Sequence, residues 1–172
     1  MRIGRDLEDY VAVRFEEATG KKVRRNNYLM AHDEFPFMQA NIDREVVGEN
    51  AILECKTTNS YAKKDWEGDK IPPYYAIQCL HYMAVTGAER AYLAVLIGNE
   101  QFVWKTIERD EETIKALITI EKDFWQNNVE KREAPEPDGS KSYSKILDDK
   151  YKNSIENTID LTSEENKKQL ER

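Results

Sequence analysis

Residues 41–58 read NIDREVVGENAILECKTT. An aspartate leads into a short apolar run, a turn and a longer apolar run, and that second run ends in Glu54, Cys55 and Lys56. Successive side chains of a strand alternate between faces, so Glu54 and Lys56 share one face and Cys55 takes the other. Charged groups in so apolar a strand are costly unless they are paired or serve chemistry. The Gly48-Glu49-Asn50 turn predicts a β-hairpin. Asp43 stands just before its first arm and Glu54 near the end of its second, so pairing of the arms can bring the two carboxylates close together. Two carboxylates, a backbone carbonyl and water form an oxygen-rich set suited to Mg2+ or Mn2+. Lys56, on the Glu54 face, could then approach the attacking water or a scissile phosphate and stabilise transition-state charge. The Cys55 thiol is expected in the core, with its carbonyl toward the metal edge. E-x-K alone is a weak signal. D-x10-E-x-K across a predicted hairpin is stronger, because spacing, turn and strand context agree.

Outward from the hairpin, DLEDYVAVRFEEATG predicts an amphipathic helix, with an imperfect apolar stripe from Leu7 through Val11 and Phe15 and Gly20 as its stop. KKVRRNNYLMAHDEFPFMQANID carries β-type residues, with Pro36 at an edge or strand entry. From Tyr61 to Pro73 the composition predicts a functional or mobile loop. Tyr74–Thr86 reads as a helix stopped by Gly87. Ala91–Ile97 and Gln101–Ile107 read as strands joined at Gly98-Asn99, and DEETIKALITIEKDFWQNNVEK as a long helix with an acidic first turn. PEPDGSKSYSKILDD is turn-rich, and the remainder is polar, with SEENKKQLER a helix candidate. The order predicts an α/β (α+β) fold, a central mixed sheet flanked by helices, in a core over 1–134. Residues 135–172 are expected to form a polar extension, partly mobile or helical.

A chain of 172 residues is long enough to bury a real core. Its net charge of -7 provides no global basic field, which argues against a protein that coats nucleic acid non-specifically. A local basic groove or an acidic metal site remains compatible with it. Cys55 and Cys79 match no zinc spacing and read as buried reduced thiols. No signal peptide and no apolar run of about 20 residues is visible, so the expected location is the cytoplasm and no membrane partner is expected. On the helix after the hairpin, Gln78 and Tyr82 share a face and could position a lysine, a water or a phosphate. Taken alone, they read more readily as a boundary residue (Gln78) and a core aromatic (Tyr82). His32 and His81 lack partners at metal spacing and read as satisfied or exposed histidines. Glu8, by spacing alone, reads as part of a solvated helix face.

Together ANIDREVV…AILECKTT, IPPYYAIQCLHYMAVTG and AYLAVLIGNEQFVWKTIERDEETI resemble the PD-(D/E)XK nuclease superfamily. Within it they resemble the phage-type YqaJ recombinase branch that includes lambda exonuclease. The likeness runs from about Gly4 to Asp138, with D…ExK, Q-x-x-x-Y, IPPYY and the later hairpin in family order. It implies a restriction-endonuclease-like core and an Mg2+-dependent deoxyribonuclease that degrades one strand of linear duplex DNA from its end, 5′ to 3′. The 3′ single strand left behind would serve a single-strand annealing protein in recombination, and relatives form a ring-shaped homotrimer. By position, the resemblance makes Asp43 and Glu54 metal ligands assisted by the Cys55 carbonyl, and gives Lys56 the nucleophilic water. It matches Gln78 and Tyr82 to the family's helix motif. Glu8 matches the glutamate of the G-x-x-x-E pattern, here GRDLE, beside the metals. Ile42 replaces the usual proline before the aspartate. The sequence starts almost on the G-x-x-x-E helix, as expected of a minimal variant or of a fragment without the segment that engages the DNA end.

DNA contacts would then be local. The candidates are Lys21, Lys22, Arg24 and Arg25 in KKVRR, Lys63 and Lys64 in the loop, and Trp66 as a stacking surface. A solvated charged turn and a loop anchor are the plain alternatives for KKVRR and Trp66. Two other functions fit the same residues: an endonuclease of the superfamily, and a catalytically silent DNA-binding or assembly module.

Overall fold

A computed structural model describes residues 2–98 and 100–152. The chain runs through α1 (Arg2–Thr19), β1 (Val23–Arg25), β2 (Met30–Ala31), β3 (Gln39–Ala40), β4 (Arg44–Val46) and β5 (Ala51–Thr58). A 3-10 helix, Ser60–Trp66, then leads to α2 (Pro73–Thr86), β6 (Arg90–Ile97), β7 (Gln101–Glu108) and α3 (Glu111–Phe124), and α4 (Lys141–Tyr151) follows. Five strands form one mixed sheet in the order β1-β4-β5-β6-β7, while β2 and β3 pair separately. The chain divides into two units, Met1–Glu133 and Ala134–Arg172.

The predicted hairpin is present. Arg44 pairs with Leu53 and Glu45 with Ile52, antiparallel, around a turn in which Gly48 takes φ +83°. That left-handed value suits glycine, which has no Cβ to clash. β5 and β6 lie parallel, which requires a crossover, and α2 supplies it. RAYLAVLI makes β6 nearly continuous in apolar residues because both of its faces are covered. Val11, Ala12 and Phe15 of α1 pack against Leu53, Tyr92 and Ala94 on one face. On the other face, Cys79, Leu80 and Met83 of α2 and Ile114 of α3 pack against Ile52, Leu93 and Val95. The fold is therefore α+β, a mixed sheet between helices, as the sequence predicts.

Several local expectations are corrected. The stretch read as a loop from Tyr61 contains the 3-10 helix, because the Asn59 side chain accepts the amides of Tyr61 and Ala62 and starts a turn. Helix α1 begins at Arg2, before Asp6. The long C-terminal helix of the core ends at Phe124, and 125–129 continue with π-type bonding. Within the stretch read as turn-rich, Ser140 accepts the Tyr143 amide and caps α4. Both cysteines are free, but only Cys79 is fully buried; Cys55 is half-buried. The helix candidate SEENKKQLER and the turn residue Asn99 lie outside the described residues.

Candidate active site

Side chains of β5 alternate between the two helical layers. Leu53 lies with α1 and Ile52 with α2 and α3, so Glu54, in phase with Ile52, faces α2. Glu54 is only 4% exposed. Its Oε1 accepts Lys56 Nζ at 2.5 Å and Gln78 Nε2 at 3.2 Å, and Gln78 Nε2 also donates to the Tyr82 hydroxyl at 3.0 Å. Asp43 Oδ2 accepts the Cys55 amide at 2.8 Å, which fastens the aspartate to the middle of the E-x-K strand. The five residues Asp43, Glu54, Lys56, Gln78 and Tyr82 are thus brought together, joined by β-pairing and by the 3.6-residue period of α2.

The electrostatics show strain of a useful kind. Burial first, then the nearby Asp43 charge, pushes the Glu54 carboxyl up to about 7, against the pull of Lys56. Burial also raises the Asp43 carboxyl, opposed by the Cys55 amide and reinforced by Glu8. Burial pulls Lys56 down, but the charges of Glu54 and Asp43 outweigh it and hold the ammonium in its charged form. Lys56 Nζ also lies 5.3 Å over the Tyr75 ring, a cation–π contact that the sequence reading did not anticipate. Glu54 Oε2 is buried with no hydrogen-bond partner among the described residues. An acceptor left bare in this way costs about 1–3 kcal/mol or more and invites a ligand.

Glu8 lines the same polar hollow as Asp43. It sits on α1, and its Oε1 accepts Arg44 Nη1 at 2.5 Å. Among the described residues no three His, Cys, Asp or Glu side chains converge as a ready metal set. Arg44 is the residue that sequence reasoning missed. It is 4% exposed and binds Glu8, Asp9 and the Asp43 carbonyl oxygen, the last at 2.6 Å. The signal was available: Arg44 is two residues from Val46, hence on the inward face of the strand.

The basic candidates separate. Lys21 pairs with Glu49, and Arg24 pairs with Glu45 at 2.6 Å across β1 and β4. These two form ion pairs within the fold rather than a free phosphate cradle. Lys22 is exposed, 3.5 Å from Glu16. Arg25 binds Asp9 at 2.5 Å and lines a polar hollow of about 280 Å3 that Asp43 also lines. Lys63 and Lys64 are exposed at the end of the 3-10 helix. Trp66 is corrected from stacking surface to anchor. It is 3% exposed and packs on Tyr75, so it has no free face for a base.

Both histidines are satisfied. His32 Nδ1 accepts the amides of Glu34 and Phe35. His81 meets the Glu121 carboxylate at 2.9 Å and the Gln39 carbonyl at 2.9 Å. Two acceptors suit an imidazolium, and the Glu121 bond raises the His81 pKa above 6.5. A raised basic group stabilises the fold fully below its unfolded value and loses that contribution as pH rises through the folded value. Unfolding free energies of wild type and His81→Asn should therefore differ by about 1 kcal/mol near pH 6 and converge at alkaline pH. A pH-independent difference would refute the ion pair.

Residues 1–89 match the family model of the YqaJ-like viral recombinase domain. Over 160 residues the chain is 48% identical to the uncharacterized protein YqaJ of Bacillus subtilis (strain 168), an alignment covering 91% of this chain and 50% of that protein. The chain thus spans about half the length of this curated relative. Among solved structures it is similar to the alkaline exonuclease LHK-Exo of Laribacter hongkongensis, with a TM-score of 0.69 and 21% identity over 88% of this chain and 74% of that one. The same exonuclease in complex with dAMP gives a TM-score of 0.66 and 24% identity over 88% and 73%. At these identities the structural likeness shows the fold. Among the described residues, no helix is long and apolar enough to cross a membrane.

Proposed function

The chain belongs to the YqaJ-like viral recombinase domain family, and on that premise we propose that it is a divalent-metal-dependent deoxyribonuclease. Its substrate in this reading is the end of linear duplex DNA, degraded as an exonuclease, 5′ to 3′, for recombination. The observation that carries the proposal is the bare, buried Glu54 Oε2 beside Asp43 and Lys56. The fold neighbour, an alkaline exonuclease, supports the same reading.

The residues fit a hard cation. Two carboxylates with raised pKa values repel one another, and their oxygens match the ligand preference of Mg2+ or Mn2+. Asp43, Glu54 and the Cys55 carbonyl would hold the ion, and Glu8 would join them from α1. When bound, Mg2+ supplies a Lewis acid that polarises the phosphate and neutralises charge. The chain's own groups do the rest. Lys56 holds a positive charge where the reacting phosphate gains negative charge. Gln78 fixes the Glu54 carboxylate through Oε1, leaving Oε2 free, and Tyr82 orients the Gln78 amide. Lys22, Lys63 and Lys64 remain as the phosphate-contacting candidates, and Arg25, although paired with Asp9, joins them because it lines the hollow beside Asp43, in a chain whose net charge is -7. DNA affinity should accordingly fall steeply with salt. A single-strand annealing protein and a ring of identical subunits complete the reading as partners.

End-labelled linear duplex and closed circular DNA, each incubated with Mg2+ and either wild type or Lys56→Ala, test it. Degradation of the linear DNA alone is expected, and only by wild type. Nicking of closed circles would replace the exonuclease with an endonuclease. No cleavage of either by folded, Mg2+-supplied protein would overturn the nuclease reading and favour a silent DNA-binding module.

A further inference from the structure

We infer that Arg44 is a positioning residue that couples helix α1 to the metal-binding hairpin and so sets the site's affinity for its cation; the inference rests on the nuclease reading above. The argument begins from burial. A guanidinium 4% exposed is rare unless its donors are filled, and here they are filled from two directions. Nη1 donates to Glu8 Oε1 at 2.5 Å and to the Asp43 carbonyl oxygen at 2.6 Å, while Nη2 donates to Asp9. The fork therefore ties two adjacent acids of α1 to the main chain of the residue that opens the hairpin. Arg25, beside Arg44 in the neighbouring strand, binds Asp9 from its outer side.

That placement makes Arg44 more than a stabilising ion pair. Helix α1 and the hairpin are distant in sequence, and Glu8 can act at the Asp43–Glu54 site only if their relative position is held to a fraction of an ångström. The Arg44 fork holds it at both ends, to the carboxylate of Glu8 and to the backbone of Asp43. Its positive charge also offsets part of the repulsion among Glu8, Asp9 and Asp43, all on one side of the hairpin. Residues that orient metal ligands in this way commonly change metal affinity by about 10–100-fold when altered. A lysine keeps the charge but cannot bridge two acids and a carbonyl with one planar fork.

Mg2+ titration by calorimetry, with thermal melting as the fold control, separates these roles. Arg44→Lys is expected to fold and to bind Mg2+ about tenfold more weakly. Its effect should not add to that of Glu8→Gln in the double variant, since both break one linkage. Asp9→Asn, at a side chain 72% exposed and so safe for folding, should weaken binding in the same direction by less. Wild-type affinity in folded Arg44→Lys, or in Asp9→Asn if the former fails to fold, would overturn the inference. Full additivity with Glu8→Gln would also overturn it. Absence of Mg2+ binding by the wild type itself would overturn the metal-dependent reading along with it.

Discussion

Lys56→Ala is expected to lower hydrolysis of linear duplex DNA by about 10²–10³-fold, the scale of removing one preorganised charge from a transition state. Its diagnostic partner is the Mg2+ affinity, which should stay the same or rise. Lys56 Nζ donates to Glu54 Oε1 at 2.5 Å, so the ammonium and a cation compete for the same carboxylate's electrons. Removing the ammonium leaves Glu54 and Asp43 with more negative charge to offer. Activity and metal affinity would then part company, which a purely structural lysine would not cause. Lys56→Arg should restore little, since a planar guanidinium places its charge differently from the ammonium that lies over the Tyr75 ring. A parallel loss of Mg2+ affinity and activity in Lys56→Ala would mean that the lysine only props Glu54 in place.

The hairpin was legible because its signals are local. Asp43, the turn glycine and the E-x-K strand lie within 18 residues, and strand alternation alone places Glu54 and Lys56 on one face. Gln78 and Tyr82 needed one more step, the helical period, and the structure joins Gln78 directly to Glu54 and Tyr82 to Gln78. The state of Glu8 was not legible. Its neighbours depend on how α1 docks on the sheet, and that docking is set by Phe15 and Val11 against Leu53 and Tyr92, contacts far apart in sequence. Trp66 shows a different failure. A polar loop composition hid the Asn59 cap that winds the segment and carries the indole inward to Tyr75. Lys21 and Arg24 read as a basic patch because sequence does not reveal that Glu49 and Glu45 stand opposite them. Charge runs report composition, whereas binding capacity depends on which charges the fold has already paired.

Glu54→Gln is expected to reverse the order of stability between wild type and variant according to whether Mg2+ is present. In metal-free protein the wild-type carboxyl is raised from 4.5 to about 7, by burial first and by Asp43 second. A carboxyl raised in the fold favours its neutral form there. Its stabilising contribution is complete below the unfolded value and is lost as pH rises from 4.5 through about 7. Glutamine keeps the neutral form at every pH. At pH 8 in chelator the variant should therefore be the more stable by up to about 3 kcal/mol, each pKa unit being worth about 1.4. The lost Lys56 pairing does not reverse this sign, because the raised pKa already includes the attraction of Lys56. Millimolar Mg2+ should then stabilise wild type by mass action and leave Glu54→Gln almost unchanged, since the amide offers no charge to the cation. Two melting curves per protein, with chelator and with Mg2+, decide the matter. If Glu54→Gln melts below wild type in chelator at pH 8, the Glu54–Lys56 pair is a structural bridge and the buried carboxylate is not a site kept ready for metal.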